Sequence, residues 1–225
     1  MGAVREILRV AVRTRSWTSG GGWGWLIQMT EASPADPGQT EAFRVLSCRI
    51  DLTVLPPLTR AVTEAVLCAT ADFDYVTDLA CDEAALGAGV RALAAGVPVV
   101  VDSAMTAAGI TRCPVICKAA EPLAARLART AEITMAAASV RLGFAEAGAG
   151  AVWVVGGAPD GLEEILRRLV EPALVIGLPV GFDGAAGAKE ALRASGVPSL
   201  SNVSEKGGPA AAAAAFGALY RVARA

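Results

Sequence analysis

The chain has 225 residues and no histidine. Histidine is the side chain whose ordinary pKa lies near neutral pH, so its absence removes the commonest general acid and base and the commonest metal ligand. Zinc coordination is excluded further by the cysteines. Cys48, Cys68, Cys81, Cys113 and Cys117 are odd in number and show no paired spacing, which predicts reduced thiols rather than a disulfide framework. Positive charge is not in excess: the net charge is −2, too little to hold a phosphate backbone, so nucleic-acid binding is disfavoured. No run of 18 apolar residues occurs, and the N-terminus lacks the continuous apolar core of a signal peptide, so no membrane association and a cytoplasmic location are expected. Aromatics make up only 5% of a chain that is 54% hydrophobic, so its core must come from Ala, Val, Leu and Ile packed closely between helices and sheet.

Residues 1–40 read as a tail. Arg5, Arg9, Arg13 and Arg15 face only Glu6, a Gly/Trp stretch follows, and EASPADPGQ leads in to the rest. This segment is expected to be disordered, or to be an upstream extension with Met29 as an alternative start. From residue 41 to 225 short apolar runs alternate with longer Ala/Leu/Arg segments. The runs are VPVVVD (97–102), CPVICK (113–118), AVWVVG (151–156), PALVIG (172–177) and VPSLSN (197–202). Helices are predicted near 57–68, 83–95, 121–147, 160–170, 184–195 and 208–223. Continuous apolar strands separated by helices predict an α/β fold: a single doubly wound domain with a mostly parallel sheet flanked by helices on both faces. Each run ends in small or polar residues, and in such sheets ligands bind outside the carboxyl ends of the strands.

Those ends carry a resemblance. VDSAMTAAGI (101–110), the GGAP turn (156–159), LVIGLPVGFDGAAGAKEAL (174–192) and VPSLSNVSEKGGPAAAAAA (197–215) resemble the precorrin-8X methylmutase family, and VLCATADFDY (66–75) resembles its catalytic segment more weakly. The resemblance implies an isomerase without metal or organic cofactor, a homodimer with active sites near the subunit interface, and a reaction that moves a methyl group from C11 to C12 of a conjugated tetrapyrrole. It also exposes departures. Cys68 stands where the family has a histidine that protonates a ring nitrogen. Ala104 and Ala131 stand where it has arginines, Gly157 where it has asparagine, and Asp183 where it has an uncharged residue. A corrin precursor bears many carboxylates, and arginine grips carboxylates bidentately.

Cys68 is therefore read either as a weak acid or as a small packing residue, and Asp74 as a possible acid/base carboxylate or a loop residue. Asp102 either orients a ligand or caps the next helix. Ser103, Met105, Lys118, Thr130, Glu132, Gly157, Phe182, Asp183, Ser201, Asn202, Ser204, Lys206 and Gly207 are predicted to surround a small-molecule substrate, with Lys118 the cation expected to remain near it. With two arginines lost, the leading expectation is a repurposed isomerase performing rearrangement, cyclisation or pericyclic chemistry on a less anionic conjugated molecule in specialised metabolism. The alternatives are the methylmutase itself with an atypical proton donor, Cys68 or Asp74, and a tetrapyrrole-binding protein without turnover.

Overall fold

The structure, a computed structural model, describes residues 37–168 and 171–225. The readings of the basic segment, the Gly/Trp stretch and the alternative start lie outside those residues. The chain divides after Val54. The first described segment holds helix α1 (Pro37–Arg49), which begins within the stretch read as a tail. Arg44 there pairs with Glu41 at 2.6 Å, and Asp51 accepts from the Thr53 amide and hydroxyl.

Leu55–Ala225 carries everything else. In chain order it runs α2 (Pro57–Thr70), α3 (Tyr75–Asp78), β1 (Leu79–Cys81), α4 (Glu83–Ala94), β2 (Val99–Val101), α5 (Ala104–Gly109), β3 (Ile116–Cys117), α6 (Pro122–Thr130), α7 (Met135–Ala147), β4 (Val152–Val155), α8 (Pro159–Arg168), β5 (Leu174–Gly177), α9 (Ala185–Ala194), β6 (Ser199–Asn202) and α10 (Pro209–Ala223). The strands form one sheet in the order β1-β6-β5-β4-β2-β3. All neighbours are parallel except β1, which runs antiparallel to β6 with Leu79 opposite Asn202. The five predicted strands are present, and the fold is the expected mostly parallel α/β arrangement. β1 was not anticipated.

Local chemistry sets the boundaries. Proline at the first helical positions opens α2, α6 and α10, where its missing N–H is not needed. Asp82, Ser103 and Thr134 cap α4, α5 and α7 through their side-chain oxygens. Thr134 also explains why the predicted helix 121–147 is two helices: the chain turns through Glu132, at φ +51°, and restarts at the threonine cap. The expected helix 160–170 is described only as far as Arg168.

Helices α4, α5 and α10 pack on one face of the sheet, with α2 against α10, and α7, α8 and α9 pack on the other, with α6 against α7. Every residue of β2, β4 and β5 is buried, as two covered faces require. Small residues bring the layers together: a Cβ at Gly143 of α7 would lie 2.6 Å from Val100 Cγ1, and one at Gly89 of α4 would strike Leu174. The alanines Ala211, Ala212, Ala213 and Ala215 of α10 are buried against this face.

The winding reverses between β2 and β4. The chain leaves β2 toward β3 on one side and leaves β4 toward β5 on the other, although β2 and β4 are neighbours. The carboxyl ends of these two strands form the crevice where ligands bind in folds of this kind.

Candidate active site at the strand ends and at Cys68

Asp102 follows β2 and is buried in that crevice. Its Oδ2 accepts from the Gly157 amide at 2.6 Å. Its Oδ1 accepts from the Gly156 amide at 3.2 Å and the Thr106 hydroxyl at 2.8 Å. The carboxylate thus joins the ends of β2 and β4. Ser103 accepts from the Thr106 amide at 3.2 Å and caps α5. A Cβ at Gly157 would lie 2.7 Å from Asp102 Oδ2, so the turn stays open for the carboxylate only with glycine there.

A second polar cluster lies where β1 meets β6. Asn202 is buried. Its amide donates to Asp78 Oδ2 at 2.7 Å and to the Lys206 carbonyl at 2.8 Å. Asp78 Oδ1 accepts from the amides of Val203 and Ser204, and its Oδ2 accepts from the Ser204 hydroxyl at 2.7 Å. Burial pushes this carboxyl up, but those hydrogen bonds together hold it below its ordinary range. Beneath the loop lies the fully buried Lys189 of α9. Its ammonium donates to Asn202 Oδ1 at 2.9 Å, to the Lys206 carbonyl at 2.7 Å and to the Ser204 carbonyl. Burial lowers its pKa to about 8, and Asp78 opposes that shift. Lys189 was not among the predicted site residues, although it stands in the KEAL segment that carries the resemblance. The predicted Ser201 is buried and accepts from Arg193 at 3.1 Å.

The loop above this cluster reaches across to the turn after α2. Lys206 Nζ pairs with Asp72 at 2.6 Å and with Asp74 at 2.5 Å. The hydrogen bond from Lys206 holds the Asp72 carboxyl below its usual range. Asp74, one of the two carboxylates considered for acid/base work, is exposed and ion-paired to Lys206. The loop also locks to its neighbour, because the Gly208 amide donates to the Leu178 carbonyl at 2.7 Å and the Gly181 amide to the Glu205 carbonyl at 3.1 Å. Gly207, at φ +155°, passes so close to the carbonyls of Leu178 and Pro179 that no side chain fits. Phe182 and Met105 stand at this edge, 99% and 69% exposed, so neither belongs to the core.

The remaining predicted residues are scattered. Lys118, the cation expected to remain near the substrate, is held between Glu121 at 2.7 Å and Glu146 at 2.5 Å. Thr130 and Glu132 are exposed at the break between α6 and α7, and Asp183 is exposed beside Phe182.

Cys68 is partly buried near the end of α2, the helix that packs against α10. Burial raises its pKa, the Glu64 carboxylate adds to the shift, and Arg221 of α10 opposes it. The thiol therefore keeps its proton at neutral pH, which makes it a weak acid and a poor nucleophile. Arg221 lies 12 residues beyond Pro209, about 18 Å along the helix axis. Pro209 itself abuts Gly156 at the crevice. Within one copy of the chain, Cys68 is thus associated with the far end of α10 and not with Asp102. Among the described residues no three His, Cys, Asp or Glu side chains are grouped to hold a metal ion.

Residues 39–222 match the family model described as precorrin-8X methylmutase. The chain belongs to the precorrin-8X methylmutase family. It is 34% identical over 178 residues to the cobalt-precorrin-8 methylmutase of Methanothermobacter thermautotrophicus, which covers 77% of this chain and 85% of that protein. It is 36% identical over 191 residues to the precorrin-8X methylmutase of Pseudomonas aeruginosa, covering 80% and 91%. A crystal structure of precorrin-8X methylmutase from Thermus thermophilus superposes with a TM-score of 0.75 at 32% identity, covering 82% of this chain and 94% of that one. The expectation of a repurposed isomerase in specialised metabolism finds no support in these relatives, whose names are those of the methylmutase. Among the described residues no helix is long and apolar enough to cross a membrane.

Proposed function

We propose that this chain is a methylmutase-type isomerase acting on a precorrin-8-class tetrapyrrole in cobalamin biosynthesis. The observation that carries the reading is the reach of the family match, residues 39–222, which takes in the strand-end loops and the helix bearing Cys68 together. The reaction is an isomerisation: the C11–methyl bond breaks, a C12–methyl bond forms, and the ring double bonds shift with no net gain of atoms. What the protein must supply is orientation of the macrocycle and a proton for a ring nitrogen. Orientation alone accounts for a large part of such barriers. For the proton, the protonated Cys68 thiol stands at the position of the family's histidine. It is a weaker acid than histidinium, so turnover slower than that of histidine-bearing relatives is expected. We include a homodimer in this proposal, because a second copy is what would bring Cys68 and a strand-end edge to one substrate.

The test is conversion of precorrin-8X to hydrogenobyrinic acid, followed by absorbance, for the wild type, Cys68→Ala and Cys68→His. Slow conversion by the wild type, lost in Cys68→Ala and accelerated in Cys68→His, is expected. A second reading, binding without turnover, rests on the missing histidine and the raised thiol. Tight binding of hydrogenobyrinic acid with no conversion by any variant would select it.

A further inference from the structure

Lys189 of α9 is fully buried, and among the described residues its ammonium has no carboxylate within ion-pair distance. Taking a charge out of water in this way is costly, and methionine or leucine would fill the same space without that cost. An ammonium has three N–H donors, and here each is used. One goes to Asn202 Oδ1 at 2.9 Å, one to the Lys206 carbonyl at 2.7 Å and one to the Ser204 carbonyl. Two of those acceptors belong to the backbone of the loop after β6, so the lysine sets from below where that loop sits.

The loop in turn holds both ends of the segment between α2 and β1. At one end Asp78, the last residue of α3, accepts from the amides of Val203 and Ser204 at 3.1 and 2.7 Å. At the other the Lys206 ammonium meets Asp72 at 2.6 Å and Asp74 at 2.5 Å. Ala71, which joins α2 to Asp72, has φ +53°, a left-handed conformation that crowds a Cβ. Such backbone persists where its surroundings over-determine it. The Asp72 amide donates to the Thr70 hydroxyl at 3.3 Å, and that hydroxyl donates to the Val66 carbonyl at 2.8 Å. Cys68 lies on α2 between Val66 and Thr70. A continuous line of hydrogen bonds and ion pairs thus runs from Lys189 through Lys206 and Asp72 to the turn of α2 that carries the thiol.

We propose that Lys189 is a positioning residue for the reaction: it fixes the loop after β6, and that loop, through Lys206 and Asp72, fixes the last turn of α2 and the placement of Cys68. That Cys68 is the reacting group rests on the function proposed above; the link between the lysine and the thiol rests on the contacts alone. Lys189 itself, fully buried, touches no substrate.

The test uses the full chain as wild type, Lys189→Met, Lys206→Met and the double variant, each checked for folding by circular dichroism. Iodoacetamide labelling of Cys68 is followed by peptide mapping. Cys117 of β3, at the opposite edge of the sheet from β1, reports general loosening. Loss of a charge-assisted contact frees the turn locally, so Cys68 should label about five-fold faster or more in each single variant, with Cys117 unchanged within about two-fold. The double variant should add nothing further, because both substitutions cut one line. In conversion of precorrin-8X, Lys189→Met should lower kcat about ten-fold or more and leave KM within about three-fold. Cys68 labelling unchanged in folded Lys206→Met, or Cys68 and Cys117 rising together in folded Lys189→Met, overturns the link. Faster labelling with kcat unaltered overturns the positioning role. If Lys189→Met does not fold, Lys206→Met, which leaves the buried ammonium in place, decides by the same labelling. A wild type that converts no precorrin-8X sinks the methylmutase reading, while the labelling, which needs no substrate, still decides the link.

Discussion

Replacing Gly207 by alanine tests how the strand-end loop is held. The backbone at Gly207 has φ +155°, and a Cβ there would sit 2.5 Å from the Pro179 carbonyl oxygen and well inside contact distance of that of Leu178. Both obstacles are backbone atoms, so no side chain can swing away. Adopting this conformation costs a non-glycine residue about 1–3 kcal/mol. Moving the loop outward to clear the carbonyls stretches the 2.7 Å bond from the Gly208 amide to Leu178, a further loss of about 0.5–1.5 kcal/mol. The sum, roughly 2–4 kcal/mol, corresponds to a fall in melting temperature of about 5–15 °C for a chain of this size. Gly217 is the internal control. It lies in α10 with no atom within 4 Å of an added Cβ, so alanine there should stabilise by about 0.5–1 kcal/mol. Thermal unfolding followed by circular dichroism compares the two. A Gly207→Ala melting point within about 2 °C of wild type, or a Gly217→Ala loss of equal size, would refute the packing argument.

Lys189→Met leaves three buried acceptors without their donor, and at pH 7 it should destabilise by about 2–4 kcal/mol in chemical denaturation. Its pKa falls from 10.5 unfolded to about 8 folded. The unfolded chain therefore binds a proton that the folded chain has shed between those values, and wild-type stability relative to Lys189→Met should rise over that range; a flat difference would contradict the burial argument. Glu164 behaves oppositely. Burial pushes its carboxyl up, but Arg141 and Arg168 hold it below 4.5, so its contribution is complete above that pH and disappears as pH falls through the folded value. The gap between wild type and Glu164→Gln should accordingly close in acid, as read by urea midpoints from pH 6 to 3. The raised pKa of Cys68 predicts that iodoacetamide at pH 8 modifies the exposed Cys48 first, and peptide mapping with Cys68 labelled ahead of Cys48 would count against a protonated thiol.

The strands were legible because their apolar runs reflect burial on both faces, which needs no knowledge of the partner strand. β1 was not, since Leu79-Ala80-Cys81 is too short to make a run and is held by pairing with β6 alone. The polar strand ends were legible as a group but not one by one. Ser201 and Asn202 both meet side chains of α9, Arg193 and Lys189, and β6 is too short for its polar pattern to show which of the two enters the loop network. Lys189 read as an ordinary helical lysine because its partners come from 13–17 residues downstream, brought under the loop only by the sheet. Thr134 could cap a helix or sit within one, and the run of small residues around it disguised the break.

The alanine face of α10 has a mechanical consequence. A helix packed through longer side chains can take up a small push by switching rotamers, so the disturbance dies out within a turn or two. Ala211, Ala212, Ala213 and Ala215 have no such torsions, and their methyl groups are wedged among fixed neighbours. Over this half the helix must then respond as a stiff rod. Its first turn rests against Gly156 at the crevice, and its last carries Arg221. A load applied at the crevice end finds no side-chain slack over the alanine stretch, and the rotamers of the buried Phe216 and Leu219 farther along are the first that can take it up.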